Sequence, residues 1–318
     1  MQNDIKAGVL LPAGQAQWGG GTDPRELLPF ALRAEELGFA SLFVNDSLLT
    51  PRIEALTMLS ALAAVTRHVE LGTGALLPFL RRPVQAAHSL ASIDLLSGGR
   101  LTVAVGAGFP GRFGRPLYEL SEVPWPDRFT RLDETVSLWR RLWTATEPFS
   151  FHGKLLHFDD VPPSVRPHTP GGPPIWLGGA TPAALARTGR HYDGWLPYPP
   201  DPADYRTGLD TVHRAATAAG RPPEAITPAL FVSVLVDDDP VRAHRAMDAY
   251  ARAVYGLPLD DLRKIQAVVI GPRAEVAARL REYTSAGAHH LVLRLGGLTL
   301  DEQYAQLEAA AEILPELN

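Results

Sequence analysis

The chain has no cysteine among its 318 residues, so a thiolate nucleophile, a disulfide and a cysteine-ligated metal are all excluded. The chemistry left to it is concentrated in glycine-rich turns. Gly178-Gly179-Ala180-Thr181-Pro182 follows the apolar run 174–177. Thr181 suits a helix cap and Pro182 a first helical position, and the glycines leave backbone N–H groups bare at the positive end of that helix. Such an end is a ready anion site, and a phosphate site on a barrel often uses one. The same residues also make an ordinary strand-to-helix turn with a good cap. Gly106-Ala107-Gly108-Phe109-Pro110-Gly111 spells a G-x-G-x-x-G pattern after a strand. A dinucleotide fingerprint needs a helix to open at the glycines, and Pro110 and Pro116 argue against one. The segment reads either as a wide turn that lets backbone lie against a ring system or as a plain tight turn.

Charged and aromatic candidates are fewer. Asp46 can orient a polar ligand or cap a loop. Trp18 can cover a ligand or pack locally. Arg81-Arg82-Pro83 can meet an anion or form a solvated helix start. His152, His157 and His168 are spaced too irregularly for a metal site, so no metal is expected. No His-x-His follows the first strand, no pair of rim carboxylates stands out, and His289-His290 stand at the start of the last strand.

Strand-like runs alternate with helical patterns along the chain and position these residues. Strands are expected at 7–11, 41–44, 69–75, 101–105, 174–177, 194–196, 229–236 and 291–293. Helices are expected from Asp23-Pro24-Arg25-Glu26 to Gly38, over 54–65, 83–96 and 127–143, and over about 280–287. Eight strands with interleaved helices fit a closed (β/α)₈ TIM barrel, whose reactive site lies where the strands end. An open doubly wound sheet is the competing architecture, and its usual length is shorter. The strand ends carry Pro12-Ala13, Asn45-Asp46-Ser47, Gly74-Ala75, Gly106-Ala107-Gly108, Gly178-Gly179-Ala180, Pro197-Tyr198, Asp237 and Arg294. Small residues dominate there, which suits a flat, bulky ligand approached by backbone.

An apolar content of 46% supports a large core, and one domain is expected over 1–318, with 145–173 as an insertion. The N-terminus has no basic region leading into an apolar stretch, and no run reaches membrane-spanning length, so a cytoplasmic protein without a membrane partner is expected. A formal charge of −5 argues against nucleic-acid binding.

The chain resembles the luciferase-like flavin- and deazaflavin-dependent oxidoreductases. The resemblance is carried by Ala34-Glu35-Glu36-Leu37-Gly38-Phe39, Val69-Glu70-Leu71-Gly72-Thr73-Gly74 and Arg82-Pro83. It continues through Ile93-Asp94-Leu95-Leu96-Ser97-Gly98-Gly99-Arg100-Leu101, Val105-Gly106-Ala107-Gly108, Pro174-Ile175-Trp176-Leu177-Gly178-Gly179 and Asp193-Gly194-Trp195. Order and spacing match from about residue 5 to 200. The resemblance implies a barrel with insertions, frequently a homodimer, that binds a reduced flavin or deazaflavin at the strand C-termini. By position, Gly74 and Ala75 match the bulge behind the tricyclic ring, where members often hold a non-proline cis peptide. Gly106, Ala107 and Gly108 match the turn beside the ring, and Gly178, Gly179, Ala180 and Thr181 the phosphate-binding turn. Asp46 matches the Asp of an Asp-His pair, but Ser47 replaces the His. Phe109 stands where some dehydrogenases carry a carboxylate, which speaks against a sugar-phosphate dehydrogenase.

Leu77-Pro78, Arg81-Arg82-Pro83 and the run 173–179 resemble the deazaflavin-using branch. The resulting expectation is hydride transfer between coenzyme F420 and a small organic substrate, with Asp46, Ser47 and Tyr198 as candidates to polarise that substrate. One alternative is an FMN-dependent two-component monooxygenase that uses O₂ and reduced flavin from a separate reductase. Another is a non-catalytic cofactor-binding protein.

Overall fold

The computed structural model describes residues 4–19, 22–108 and 114–317. Strands and helices alternate from the start: β1 (Lys6–Leu10), α1 (Leu27–Glu36), β2 (Ser41–Val44), α2 (Ala55–Val65), β3 (Glu70–Leu76), α3 (Pro83–Ser97) and β4 (Leu101–Val105). Next come α4 (Arg115–Leu120), α5 (Arg128–Thr144), β5 (Phe149–His152), β6 (His157–Val161), β7 (Ile175–Leu177), α6 (Pro182–His191) and β8 (Gly194–Trp195). The chain closes with α7 (Pro202–Ala218), β9 (Thr227–Val236), α8 (Pro240–Tyr255), α9 (Leu259–Leu262), β10 (Val268–Gly271), α10 (Arg273–Ser285), β11 (His290–Leu295) and α11 (Leu300–Ala311).

Eight parallel strands close a ring in the order β1-β2-β3-β4-β7-β8-β9-β11, with β11 returning to β1. These are the eight strands expected from the alternation of apolar runs, within a residue or two at their ends. β10 was not anticipated. It uses the same edge of β9 as β8 does, but further along: Thr227 and Pro228 pair with β8, and Ser233 to Val236 with β10. The segment 145–173, which lacks a clear period, contains an antiparallel hairpin of β5 and β6. Its alternation was hidden because Ser150, His152, His157, Asp159 and Asp160 leave little apolar signal on either face. The first helical stretch also differs from expectation. Asp23 caps Arg25 N at 2.9 Å in a 3₁₀ turn, and the α-helix begins only at Leu27.

Leu10, Phe43, Ala104, Trp176, Leu196, Ala229, Phe231 and Val292 fill the lumen. Phe43 fits because Gly72 on the next strand has no side chain: a Cβ there would stand 2.4 Å from its ring. A larger apolar layer packs the strands' outer faces against the helices. At the lower end of the lumen Ser41 Oγ lies 2.7 Å from His290 Nε2, and both side chains are buried.

Several residues of the family-like motifs tie loops to this frame. The Glu35 carboxylate accepts the N–H groups of Arg67, His68 and Val69. Burial works against its charge, but these backbone donors outweigh burial and lower its pKa. Arg100 donates to Ser97 O, Val69 O and Thr66 Oγ1. Asp94 accepts Thr169 N at 2.7 Å, and Asp193 accepts Ile175 N at 2.9 Å and pairs with Arg140 at 2.8 Å.

Candidate functional site

The glycine segments meet at one mouth of the barrel, on three neighbouring strand ends. At β3 the register shifts between Thr73 and Leu76, and the Gly74–Ala75 peptide is cis. Gly106 N donates to Leu76 O at 2.9 Å, and Gly178 N donates to Val105 O at 3.2 Å. The ends of β3, β4 and β7 are therefore stitched side by side. A Cβ at Gly106 would sit in ordinary van der Waals contact, 3.8 Å from Leu77 Cδ2 and 3.9 Å from Ala75 Cβ, with nothing nearer among the described residues. Ala107 is buried, its carbonyl accepts the Tyr118 hydroxyl at 3.0 Å, and Gly108 has φ +82°. Gly106–Gly108 are not helical, and the next helix among the described residues, α4, begins at Arg115. Phe109, Pro110 and Gly111 lie outside the described residues.

The turn before α6 has the anticipated form. Thr181 Oγ1 accepts Ala184 N at 3.3 Å and Pro182 takes the first turn of a 10-residue helix. Gly179 has φ +98°, a region costly for any residue with a Cβ, and Trp195 Nε1 holds its carbonyl at 2.9 Å. Ala180, Thr181 and Pro182 are exposed. Gly179, Ala180, Tyr198, Pro199, Asp204 and Thr207 line a cleft of about 390 Å³ beside this turn. Its described lining contains no basic residue. Positive charge lies instead on α5, where Arg128 and Arg131 bear on Tyr118 and have enclosed Nε atoms without a hydrogen bond.

The three substrate-polarising candidates come from two strand ends. Asp46 and Ser47 follow β2, whereas Tyr198 follows β8. Both Asp46 oxygens face Arg81, with Nη1–Oδ2 2.6 Å and Nη2–Oδ1 3.1 Å, and Oδ2 also accepts Leu77 N at 3.0 Å. Arg81 bonds Glu54 as well. Ser47 Oγ accepts Leu49 N at 3.2 Å. Tyr198 packs with Ala75 against the lumen cluster. Burial, reinforced by Tyr255, pushes its phenol up to about 12, so it is a proton-bearing donor at ordinary pH.

The mouth holds further polar groups that sequence reading did not bring together. Arg294, buried on β11, donates from Nε to Tyr250 Oη and from Nη1 to Tyr255 Oη, each at 2.7 Å. Gln17 Nε2 also reaches Tyr250 Oη at 3.1 Å. Gln266 Nε2 reaches Tyr255 Oη at 3.0 Å and Ser233 Oγ at 3.1 Å. Arg52 sits against Gly14 and donates to Thr50 Oγ1, and its Nη1 is enclosed without a partner. Asn45 Oδ1 and Trp18 Nε1 are likewise enclosed and unpartnered. A lone arginine in the strand His-Leu-Val-Leu-Arg-Leu, on the parity of lumen-facing Val292, was the available signal.

The remaining candidates lie elsewhere. His152 pairs with Asp159 at 2.7 Å on the exposed hairpin, with His157 stacked beside it. His168 lies against Gly99, and Arg82 is exposed at the start of α3. No three metal-ligating side chains cluster among the described residues, and no described helix is long and apolar enough to cross a membrane.

Relatives of known description share this frame. An F420-dependent glucose-6-phosphate dehydrogenase of Amycolatopsis mediterranei is 29% identical, with 93% of this chain and 95% of that protein covered. One of the same name from Kribbella flavida is 31% identical over the same shares. A monooxygenase structure from Streptomyces bottropensis superposes with TM-score 0.81 at 26% identity, covering 98% of this chain and 99% of that one. An F420-dependent secondary alcohol dehydrogenase, in complex with an F420-acetone adduct, superposes with TM-score 0.85. It covers 99% of both chains at 22% identity and supports the fold alone. The profile of the luciferase-like monooxygenase family matches residues 5–290, and the chain belongs to that family.

Proposed function

We propose that this protein is an oxidoreductase that moves a hydride between coenzyme F420 and a small organic substrate. The observation that carries the reading is the run of small residues brought side by side at the ends of β3, β4 and β7: Gly74-Ala75, Gly106-Ala107-Gly108 and Gly178. When bound, F420 supplies a ring carbon that gives up or accepts a hydride.

The residues present fit that group. Gly106, without a side chain, offers bare backbone on which a planar ring can lie, next to Ala75. Asn45 Oδ1, enclosed and unpartnered at the adjoining end of β2, is an acceptor for a ring N–H. A phosphodiester carries a single negative charge, and the backbone N–H groups of Gly179, Ala180 and Thr181 with the Thr181 hydroxyl suffice to hold it. Arg128 and Arg131 offer positive charge for an anionic tail. The coenzyme named in the A. mediterranei and K. flavida relatives agrees with this assignment.

Within this reading Tyr198 donates a hydrogen bond to the substrate's oxygen, and Ser47 offers a second hydroxyl. Asp46 works through Leu77 and Arg81 to hold the bulge behind the ring, a positioning role. The protein's contribution is to fix ring and substrate face to face in a dry mouth. One domain over 1–318, a homodimer and a cytoplasmic setting belong to the same proposal.

The S. bottropensis relative, a monooxygenase by name, favours a second reading, in which this chain is a monooxygenase; in our reading it would then use reduced FMN from a separate reductase. Titration with F420 and with FMN, followed by protein melting temperature, tests the proposal. Saturable stabilisation by F420 is expected, and its absence overturns the assignment. Oxygen uptake that depends on added reduced FMN would establish the second reading, since a deazaflavin reacts poorly with oxygen.

A further inference from the structure

The wall of the mouth built by β9, β11 and the loop after β1 has an excess of hydrogen-bond donors. Leu291, Leu293 and Leu295 of β11 pack into the outer core, and Val292 into the lumen. Arg294 therefore points inward, one step nearer the mouth than Val292. Its charge is buried, yet its partners are two phenols and no carboxylate. Among the described residues its Nη2 makes no hydrogen bond, whereas Nε and Nη1 are both used. Tyr250 Oη and Tyr255 Oη each accept two bonds and donate none to the described residues.

Arg52 adds a second cation. Burial, with Arg294 close by, pushes its pKa down to about 10. The nearby carboxylate of Asp46 is already held in the fork of Arg81. Among the described residues, two guanidiniums and two phenol O–H groups thus share one wall, and neither guanidinium is bonded to a carboxylate. A buried charge without a counter-charge is unfavourable, and a ligand that supplies the counter-charge removes that penalty.

We propose that Arg294 and Arg52 bind an anionic oxygen group of the substrate, a carboxylate or a phosphate, across the mouth from the glycine seat. The proposal rests on the oxidoreductase reading for the word substrate, and the binding itself does not. Tyr250, Tyr255 and Gln17 hold the Arg294 side chain in place, so its free nitrogen is preorganised for one acceptor.

The test is calorimetric titration of the full chain, without cofactor, using benzoate, phenyl phosphate and neutral benzyl alcohol, together with iodide-soaked crystals. Saturable binding of one anion at least 10-fold tighter than benzyl alcohol is expected, with iodide in hydrogen-bonding reach of Arg294. Preference for benzoate identifies a carboxylate, and preference for phenyl phosphate a phosphate. Arg294→Met should lose at least 10-fold in anion affinity, Arg294→Lys less, and Arg52→Met an intermediate amount. Without ligand, Arg294→Met should melt no lower than the parent protein, and if it does not fold, Arg52→Met carries the comparison. Anion binding that is absent from the parent protein, or equal in parent and Met variants, overturns the proposal. So does parallel loss of F420 affinity in Arg294→Met, which would make the wall part of the cofactor site. F420 failing to bind a parent protein that still binds the anion strikes the function proposed above and leaves this site standing.

Discussion

Asp46 and Arg81 lock the end of β2 to the segment after β3: Nη1 lies 2.6 Å from Oδ2, and the same oxygen accepts the Leu77 N–H at 3.0 Å. The Asp46 side chain is only 4% exposed and that of Arg81 17%. Asp46→Ala leaves a mostly buried guanidinium with Glu54 alone and strands the Leu77 N–H. We expect it to lower stability by about 2–3 kcal/mol, somewhat under the full cost of breaking a buried pair because Glu54 remains. Asp46→Asn keeps an acceptor for Leu77 and should lose about half as much. Urea unfolding of the three proteins checks both, and an Asp46→Ala midpoint equal to the parent's would show that the fork does not hold the bulge.

Gly106 separates binding from folding. Among the described residues a Cβ there meets nothing closer than 3.8 Å, so the fold tolerates a side chain that would still stand on the proposed ring seat. Gly106→Val should keep its stability within about 1 kcal/mol. It should bind F420 at least about 10-fold more weakly, about 1.4 kcal/mol. Unaltered affinity in a fluorescence titration would move the ring elsewhere.

Tyr198 carries its proton across the working pH range, since burial and Tyr255 push it up to about 12. Tyr198→Phe should lower kcat by about 10-fold to 100-fold, in line with the loss of one hydrogen-bond donor to developing charge. F420 affinity should stay unchanged. The ratio of parent to variant kcat should be constant between pH 6 and 9; a ratio that titrates in this window would assign Tyr198 a proton-transfer role instead.

His290 makes stability depend on pH. Burial foremost lowers its pKa from 6.5 to about 4, with Glu70 partly opposing and Lys6 adding to the shift. Above pH 6.5 the ring is neutral both folded and unfolded, and its placement costs nothing. As pH falls from 6.5 towards 4 the unfolded chain takes up a proton that the folded one refuses, so stability drops, by about 2 kcal/mol at pH 5. His290→Asn should start lower at pH 7, having lost the imidazole's packing and its contact with Ser41, and should fall less between pH 7 and 5. Equal slopes in denaturant unfolding would show that another group dominates.

Much of the architecture was legible in the chain itself. Alternating apolar runs located all eight ring strands, because most of their residues are buried and form short apolar stretches, β3 with its Gly and Thr being the least continuous. Thr181-Pro182 marked the start of α6, where the capping contact spans only three residues. Glycine spacing, read with the family resemblance, singled out Gly74, Ala75, Gly106 and Gly178, which the fold brings side by side at one mouth of the barrel. Local signals failed where pattern was weak, as in the exposed hairpin of β5 and β6 and the four residues of β10.

Local order along the chain thus determined the barrel, the turns and the small residues at its mouth, because periodicity, caps and glycines act over a few residues. Tertiary structure alone decided how side chains distant in sequence share charge. Asp46 meets Arg81 across 35 positions, Arg294 meets Tyr250 across 44, and Gln17 meets Tyr250 across 233. Whether a carboxylate is available as a base or held in an arginine's fork depends on what closing the ring brings beside it, and spacing in the chain carries no record of that.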